Sequence, residues 1–276
     1  MPPAEGGVSI IVPTYREAPN IEPLVQRVFA AIRGAGVDAE LVIVDDDSQD
    51  GTDRIVEGLQ RDYPVRLLVR RGERGLAGAV VAGLREARFE RLVVLDADLQ
   101  HPPELIPDIL TALARDGCDF VMATRYAGRG SVAGDWPWHR RLASRVATWL
   151  ARPVAPLSDP MSGFFALTRQ AWERAAPHVD AIGYKIGLEL YVKARCTRPV
   201  EVPINFAARH AGASKLGMAT QWAYLRHLVR LYRFRFSKAF TAAQALLIAL
   251  ALFILLLAVM KVAFPTRSDG VPSAYG

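Results

Sequence analysis

The residues from Leu92 to Glu104 read LVVLDADLQHPPE. The uninterrupted apolar run Leu92–Leu95 is typical of a buried strand, and acidic residues follow it at Asp96 and Asp98. The next segment, Pro103–Arg115, spaces its apolar residues as a helix does. This stretch therefore predicts a strand, a polar loop and a helix, which together form one unit of an α/β fold.

The same alternation continues outward over the range Val8–Thr124. Further strands are predicted at Val8–Val12, Leu41–Val44, Val65–Val69 and Phe120–Ala123, and further helices at Ile21–Arg33, Thr52–Gln60 and Ala77–Ala87. Short strands separated by helices indicate repeated βαβ units, so the predicted fold class is α/β with a mainly parallel sheet flanked by helices. The Gly-, Pro- and Trp-rich range Tyr126–Pro160 predicts a loop with one short helix.

Composition limits the range of partners. The 276 residues carry 34 Lys and Arg against 28 Asp and Glu, a formal net charge of +6, which favours anionic partners: phosphates, nucleic acid or an acidic membrane surface. Part of that positive charge lies at residues 226–238, directly before the longest apolar run of the chain. Taken with the motifs described below, no nucleic-acid partner is expected. The two cysteines, Cys118 and Cys196, have no neighbouring metal-ligand pattern, so they predict buried free thiols in a reducing compartment.

The C-terminal region predicts attachment to a membrane. Residues Thr220–Lys238 have the pattern of an amphipathic helix with arginines on one side, as in helices that lie in a membrane interface. The range Ala239–Met260 carries no charge, and at about 1.5 Å per residue it spans roughly 30 Å, the thickness of a bilayer core. The alternative for this range is a buried globular helix.

Charge and termini predict the orientation. Five Lys or Arg precede the apolar range, only Lys261 and Arg267 follow it, and Met1–Gly7 lacks the features of a signal peptide. We therefore expect a single-pass protein of the inner or cytoplasmic membrane whose catalytic part is cytoplasmic. The predicted divisions are a globular domain at 1–219, an interfacial helix at 220–238, a transmembrane helix at 239–260 and a short polar tail at 261–276.

Two acidic groups follow predicted strands. Asp96 and Asp98, with Gln100 nearby, could offer oxygen ligands to Mg²⁺ or Mn²⁺, although so short a pattern is often a solvated turn. In the range Asp45–Thr52, helix capping by Asp47, Ser48 or Asp50 explains part of the acidity, whereas Asp45 and Asp46 could accept hydrogen bonds from a base or ribose. After the first strand, the ring of Tyr15 could stack on a nucleobase.

Six motifs in a consistent order then carry a specific resemblance. They are VSIIVPTYRE at 8–17, DDDSQDGT at 45–52, DADLQHPPE at 96–104, RY at 125–126, DPMSGF at 159–164 and RHAGASKL at 209–216. Together they resemble inverting GT-A glycosyltransferases of family 2, and within them the polyprenyl (dolichyl) phosphate mannose synthase subgroup. The resemblance covers roughly Val8–Phe236, and six weak motifs in order are stronger than any one of them.

The resemblance implies transfer of a sugar, with mannose from GDP-mannose as the first choice, to a polyprenyl phosphate with inversion. It implies these roles: Pro13, Tyr15, Glu17, Asp46, Asp96 and Ala97 in donor nucleotide binding, Asp96, Asp98 and Gln100 as metal ligands, Asp98, Arg125 and Arg209 in catalysis, and Arg140 and Lys215 at the acceptor phosphate. His101 and Glu189 are left as structural or supporting residues. The implied mechanism needs no obligatory general base, because a phosphate acceptor is already largely dianionic at pH 7.

Several alternatives stay open or are weakened by the sequence. Relatives that use UDP-glucose or a modified arabinose usually carry two spans, and one is predicted here, so the donor sugar remains open. A processive polysaccharide synthase would need more spans, and a nucleotidyltransferase or dinucleotide oxidoreductase would need a Gly-rich loop where Thr14–Glu17 stands. A non-catalytic membrane tether with the same fold is the alternative of another class, and a turnover assay separates it from an enzyme.

Overall fold

The computed structural model describes residues 4–126, 131–132, 146–206 and 218–237. Its strands are β1 (Ala4–Thr14), β2 (Ala39–Asp45), β3 (Val65–Val69), β4 (Phe89–Val94), β5 (Phe120–Thr124), β6 (Ser131–Val132), β7 (Phe165–Thr168), β8 (Val200–Pro203) and β9 (Asn205–Phe206). Its helices are α1 (Ala18–Arg33), α2 (Thr52–Leu59), α3 (Leu76–Glu86), α4 (Ile106–Leu113), α5 (Arg169–Ala175), α6 (Ile186–Lys193) and α7 (Met218–Arg235). Residues 146–151 form a further short helical segment.

A seven-stranded sheet organises the domain in the order β3-β2-β1-β4-β7-β5-β8. All neighbouring pairs are parallel except those of β7, which is antiparallel to both β4 and β5. A separate pair, β6 with β9, is parallel. The predicted α/β class with a mainly parallel sheet flanked by helices is therefore confirmed.

The core lies on both faces of the central strands. Ile10 and Val12 of β1 are fully buried among residues of α1 and α4, whereas the alternate residue Ile11 points to the opposite face. There, a Cβ added to Gly83 of α3 would lie 2.4 Å from Ile11 Cγ2 and 2.9 Å from Val44 Cγ2. The glycine lets α3 pack directly on β1 and β2, which closes the second layer.

The predicted strands and helices exist, with shifted ends. β4 begins three residues before the predicted Leu92, and the predicted helix Pro103–Arg115 is a 3-10 turn, Pro103–Leu105, followed by α4. The short helix expected between Tyr126 and Pro160 lies at 146–151. β7 was not predicted, because its short apolar run is defined by strand neighbours far away in sequence.

The predicted amphipathic helix is α7, which begins two residues before Thr220. Its predicted apolar stripe is divided: Leu228 is buried together with Leu231, whereas Leu225 and Val229 are exposed. The chain separates into two compact units, Met1–Leu231 and Tyr232–Gly276. Among the described residues no helix is both long and apolar enough to cross a membrane, and the predicted span 239–260 lies outside them.

Both cysteines are confirmed as buried free thiols. Cys118 is 8% exposed and Cys196 is 3% exposed, so each fills space in the core rather than facing solvent. Burial is also the first cause that raises the pKa of both thiols, which keeps them protonated and unreactive at neutral pH. The structure therefore agrees with the packing role that the sequence predicted for them.

Candidate active site

The carboxyl ends of β1, β2 and β4 lie side by side, because these strands are parallel neighbours. Thr14 at the end of β1 pairs with Asp45 at the end of β2, and the Leu95 amide donates to the Ile11 carbonyl at 3.2 Å. The loops that follow these strands therefore share one edge of the sheet, where ligands gather in open α/β folds. The residues brought to this edge are Pro13, Tyr15, Glu17, Asp46, Asp96, Ala97, Asp98 and Gln100.

Asp46 is buried and holds the loop between β3 and α3. Its Oδ1 accepts a hydrogen bond from Arg70 Nη1 at 2.6 Å, and its Oδ2 accepts one from the Gly75 amide at 2.7 Å. Gly75 has φ +146, a backbone conformation that residues with a side chain rarely adopt. Asp46 thus shapes the wall of the edge beside the predicted nucleoside site. Arg70 was not among the residues predicted for this site.

Asp45 accepts hydrogen bonds within the fold, and its contact with a base or ribose stays a prediction. Its Oδ1 accepts hydrogen bonds from the hydroxyls of Thr14, at 3.0 Å, and Ser48, and its Oδ2 accepts from the Ser48 amide at 2.8 Å. The side chain is 4% exposed as a residue. A buried carboxylate needs hydrogen-bond donors, and here Thr14 at the end of β1 and Ser48 in the loop after β2 supply them.

The same acidic loop ties two helices together. Asp50 Oδ1 accepts from the amide and hydroxyl of Thr52 at 3.2 and 2.7 Å, at the first residue of α2. Its Oδ2 accepts from the Ala18 amide at 3.1 Å, at the start of α1, and the Ser48 hydroxyl accepts from the Arg16 amide at 2.8 Å. The predicted capping role of Asp50 is confirmed, and it extends to a second helix.

Tyr15 is half-buried in a positively charged setting. The guanidinium carbons of Arg16 and Arg74 lie 5.3 and 5.0 Å from the centre of its ring, within cation–π range. Glu17, directly before α1, accepts a hydrogen bond from Asn20 Nδ2 at 2.6 Å. The ring and carboxylate are therefore held in place at the sheet edge, where their contact with a nucleoside stays a prediction.

Asp96 and Asp98 differ in exposure. The side chain of Asp96 is 31% exposed, whereas Asp98 is 6% exposed as a residue and its Oδ1 accepts from the Gln100 amide at 3.1 Å. The backbone of Gly163 lies against Asp96, since a Cβ added there would be 2.4 Å from Asp96 Oδ2. Gly163 belongs to the DPMSGF motif at 159–164, but its contact with Asp96 was not predicted.

His101 packs behind the acidic pair. Its ring is 5.7 Å from the ring of Phe164 and 5.1 Å from that of Phe206, both in edge contacts. Its Nδ1 lies 3.6 Å from Asp96 Oδ2. Burial lowers the pKa of His101 from 6.5 to about 4, so the imidazole is neutral at pH 7. It supports the site from behind, as the sequence predicted.

Arg125 is oriented by a buried carboxylate. Its Nε donates to Asp159 Oδ2 at 2.6 Å and its Nη2 to Asp159 Oδ1 at 2.8 Å, a two-point contact that fixes the plane of the guanidinium. The group also lies 5.1 Å from the centre of the Phe206 ring. Although burial opposes it, Asp159 raises the pKa of Arg125, so the cation persists at all ordinary pH values. Asp159 is fully buried.

The chemistry of Asp96, Asp98 and Gln100 fits a hard divalent cation. Carboxylate and amide oxygens are the ligands that Mg²⁺ and Mn²⁺ prefer, and such sites commonly take their remaining ligands from water and substrate phosphates. Within the described ranges no group of three or more His, Cys, Asp and Glu side chains could hold a metal ion.

Three predicted residues cannot be placed at this edge. Arg140, Arg209 and Lys215 all lie outside the described residues. Their roles at the acceptor phosphate and in catalysis stay predictions.

Residues 9–173 match the family model described as Glycosyl transferase family 2. This match covers more than half of the chain. The chain belongs to glycosyl transferase family 2. Its predicted family is therefore confirmed, and the chain is a glycosyltransferase.

This family 2 glycosyltransferase is similar to several curated relatives named dolichol-phosphate mannosyltransferase. It is 46% identical to the one from Mycosarcoma maydis over 254 residues, which covers 89% of this chain and 86% of the relative. It is 43% identical to the one from Saccharomyces cerevisiae, covering 83% of this chain and 88% of the relative. It is 41% identical to the one from Pyrococcus furiosus, covering 82% of this chain and 64% of that relative.

Solved structures support the GT-A-like fold of this family 2 glycosyltransferase. A structure of glucosyl-3-phosphoglycerate synthase from Mycobacterium tuberculosis gives a TM-score of 0.59 at 19% identity, covering 84% of this chain and 81% of that one. Another structure of that synthase, in complex with Mg²⁺ and uridine diphosphate, gives a TM-score of 0.60 at 17% identity, covering 84% of this chain and 79% of that one.

Proposed function

We propose that this chain transfers mannose from GDP-mannose to dolichyl or another polyprenyl phosphate, with inversion at the anomeric carbon. The observation that carries the proposal is a carboxylate pair, Asp96 and Asp98, at the same sheet edge as a fixed cation, Arg125. The relatives at 41–46% identity are named dolichol-phosphate mannosyltransferases, which supports this choice of donor sugar and acceptor.

The donor nucleotide is proposed to lie across the ends of β1, β2 and β4. Tyr15 would offer its ring to the base, while Glu17 and Asp46 would accept hydrogen bonds from the nucleoside. The main support is the rigidity of this edge: Glu17 and Asp46 each already accept a protein hydrogen bond of 2.6 Å. Pro13 and Ala97 are both buried and would close the floor of the site.

Asp96, Asp98 and Gln100 are proposed to hold Mg²⁺ or Mn²⁺ together with the donor diphosphate. Such a cation stabilises the negative charge that develops on a departing diphosphate by several kcal/mol, roughly, without moving a proton. The protein's part is to keep the carboxylates in position. The amide of Gln100 orients Asp98, and the close backbone of Gly163 limits where Asp96 can turn.

The acceptor phosphate needs binding rather than deprotonation. Its second pKa is about 6, so at pH 7 an oxygen of the dianion can attack the anomeric carbon directly. Arg125, together with Arg140, Arg209 and Lys215, would hold this phosphate in line with the diphosphate. In support, two described carboxylates near the site already have protein partners: Asp45 bonds Ser48 and Thr14, and Asp159 bonds Arg125.

We further propose that a membrane surface brings the acceptor to the site. Val146 and Trp149 of the helical segment 146–151 are 46% and 68% exposed, and Leu225 and Val229 of α7 are 42% and 45% exposed. The two helices are linked, because the Tyr224 hydroxyl donates to the Ala147 carbonyl at 2.7 Å. Exposed apolar side chains beside the arginines of α7 suit the interface of an acidic membrane.

For attachment to a membrane, we propose that the chain is divided into a catalytic domain at 1–219, an interfacial helix at 220–238, a membrane span at 239–260 and a tail at 261–276. The catalytic domain would face the cytoplasm, with the basic residues of α7 on the same side.

The test is a transfer assay on the full chain in detergent with dolichyl phosphate as acceptor. GDP-mannose should give mannosyl phosphoryl dolichol in the presence of Mn²⁺ or Mg²⁺, and UDP-glucose should not. Asp98→Asn should keep the fold but lose at least about 100-fold in kcat, because several kcal/mol of charge stabilisation is removed. Transfer in EDTA at the rate measured with Mn²⁺, by wild type or by Asp98→Asn, would contradict the metal site. Turnover with UDP-glucose but not with GDP-mannose would contradict GDP-mannose as the donor.

A further inference from the structure

Lys185 is a half-buried cation whose contacts differ from those of Arg70, Arg125 and Lys193. It directly precedes α6, and its Nζ donates a hydrogen bond to the Met161 carbonyl at 3.0 Å. Arg70, Arg125 and Lys193 each meet a carboxylate at 2.6 Å. In the part of the chain that the structure describes, no carboxylate lies within ion-pair distance of Lys185.

The surroundings of Lys185 are those of the candidate site. Met161, its acceptor, is two residues before Gly163, whose backbone lies against Asp96, and two residues after Asp159, which holds Arg125. Burial is the main cause that lowers the pKa of Lys185, and the positive charge of Arg125 lowers it further, against the opposing charges of Asp96 and Asp159. A partly buried ammonium gains most from a nearby anion, and the hydrogen bond described for this one goes to a neutral carbonyl.

The positive charges of Lys185 and Arg125 favour a negatively charged phosphoryl group over a neutral ligand. Asp159 is already committed to Arg125 by two hydrogen bonds and acts on Lys185 through its charge alone. The charges of Arg125 and Lys185 oppose each other, and the proposed metal ion at Asp96 and Asp98 would add further positive charge, which a multiply charged anion would offset. A sugar hydroxyl would leave that repulsion in place, whereas a phosphoryl group would relieve it.

We propose that Lys185 Nζ binds a phosphoryl group of the substrates, either in the donor diphosphate or in the acceptor phosphate, next to Arg125. This rests on the proposed function. No bond is made or broken by Lys185; its ammonium donates hydrogen bonds and supplies charge that holds one of the two mutually repelling anions.

The experiment compares three variants with wild type as the full chain in detergent. Lys185→Met removes the charge and keeps an unbranched side chain, whereas Lys185→Arg keeps the charge. The control is Arg115→Met, which removes one positive charge from an exposed residue after α4, at the opposite edge of the sheet. The dissociation constant of GDP with Mn²⁺ is measured by calorimetry, and KM and kcat are measured for dolichyl phosphate.

If Lys185 binds the donor diphosphate, Lys185→Met weakens GDP binding roughly tenfold or more, as expected for loss of a charge-assisted hydrogen bond. Lys185→Arg should restore most of that affinity, and Arg115→Met should match wild type. If it binds the acceptor, GDP affinity stays unchanged while KM for dolichyl phosphate rises by a similar factor. Either result supports the proposal and identifies the source of the phosphoryl group.

Wild-type affinities and KM values in Lys185→Met would overturn the proposal. So would an equal loss in Lys185→Met and Lys185→Arg, because a charge contact survives in the arginine variant. If Lys185→Met does not fold by circular dichroism, Lys185→Gln takes its place in the same comparison. Nucleotide binding does not require turnover, so a wild type that binds GDP but transfers no mannose contradicts the proposed function while the Lys185 contrast is still measured.

Discussion

At the scale of single residues, the missing side chain of Gly163 leaves room for the carboxylate of Asp96. Gly163→Ala would place a Cβ 2.4 Å from Asp96 Oδ2 and 3.0 Å from its Cγ. Because the Asp96 side chain is 31% exposed, it can turn away at little cost in stability, but it then loses its position as a ligand. We expect GDP affinity in Mn²⁺ to fall by roughly 10- to 100-fold.

The measurement for Gly163→Ala is calorimetry with GDP in Mn²⁺ and in EDTA. Affinity in EDTA should match wild type, since the substitution acts through the metal ligand. The melting temperature should change by no more than a few degrees, roughly. An unchanged affinity in Mn²⁺ would show that Asp96 is not a ligand or is not positioned by Gly163.

Glu189 shows what a buried carboxylate does for stability. It is fully buried, and its Oε1 accepts from Lys193 Nζ at 2.6 Å and from the Asp180 amide at 2.7 Å, while His227 Nε2 lies 3.4 Å from Oε2. Burial raises the pKa of Glu189, but His227, Lys193 and the Asp180 amide together outweigh burial and lower it from 4.5 to about 2. The folded state therefore favours the ionised form.

The lowered pKa of Glu189 sets the sign of the pH dependence of the free energy of unfolding. A carboxyl group with a lowered pKa contributes stability above its unfolded pKa of 4.5 and loses that contribution as the pH falls through about 2. Glu189→Gln should lower the free energy of unfolding by about 3 kcal/mol at pH 7, and this difference should shrink between pH 4.5 and pH 2. Urea unfolding of the full chain in detergent at pH 7, 5 and 3 measures it.

The control for Glu189 is Glu104→Gln. Glu104 forms an exposed ion pair with Arg27, with side chains 53% and 41% exposed, so its removal should cost less than about 1 kcal/mol. Equal losses in the two variants would contradict a special role for the buried carboxylate that connects α6 with α7.

At the scale of elements, the contact between α3 and the sheet depends on Gly83. Gly83→Ala would bring a Cβ within 2.4 Å of Ile11 and 2.9 Å of Val44, which must move in a filled core. Overpacking of this kind costs about 1–3 kcal/mol, so the melting temperature should fall.

Gly58→Ala, in α2, is the matched control for Gly83. An added Cβ at Gly58 meets no atom within 4 Å, and alanine is the better helix former by about 1 kcal/mol or less, so this variant should be slightly more stable than wild type. If packing determines the effect, calorimetry should show a lower melting temperature for Gly83→Ala and a slightly higher one for Gly58→Ala. A gain of stability in both would mean that α3 moves freely off the sheet.

At the scale of the whole molecule, catalysis and membrane attachment are proposed to reside in different parts of the chain. A protein truncated after Lys238 should bind membranes less firmly but still transfer mannose to short-chain, water-soluble acceptors. Sedimentation with vesicles that contain acidic lipids measures attachment, and a transfer assay measures activity. A truncated protein that is folded but inactive on those acceptors would show that residues after Lys238 help to build the site.

Much of the fold could be predicted because its signals are local. Each strand and helix of the range Val8–Thr124 is a contiguous pattern, apolar runs for strands and helical spacing for helices, and right-handed βαβ connections leave few alternatives for how they assemble. The acidic groups after β2 and β4 could be placed at one edge for the same reason, since parallel neighbours end together. Local sequence thus determined the α/β class and the location of the candidate site.

The tertiary structure decided which contacts those residues make. Asp45 and Asp46 are adjacent in sequence, yet Asp45 is bonded within its own loops whereas Asp46 holds the loop of Arg70 and Gly75. The contacts of Gly163 with Asp96 and of Asp159 with Arg125, like the insertion of β7, join residues far apart along the chain. No local pattern encodes such contacts, because their energy depends on packing and burial that exist only once the sheet has formed.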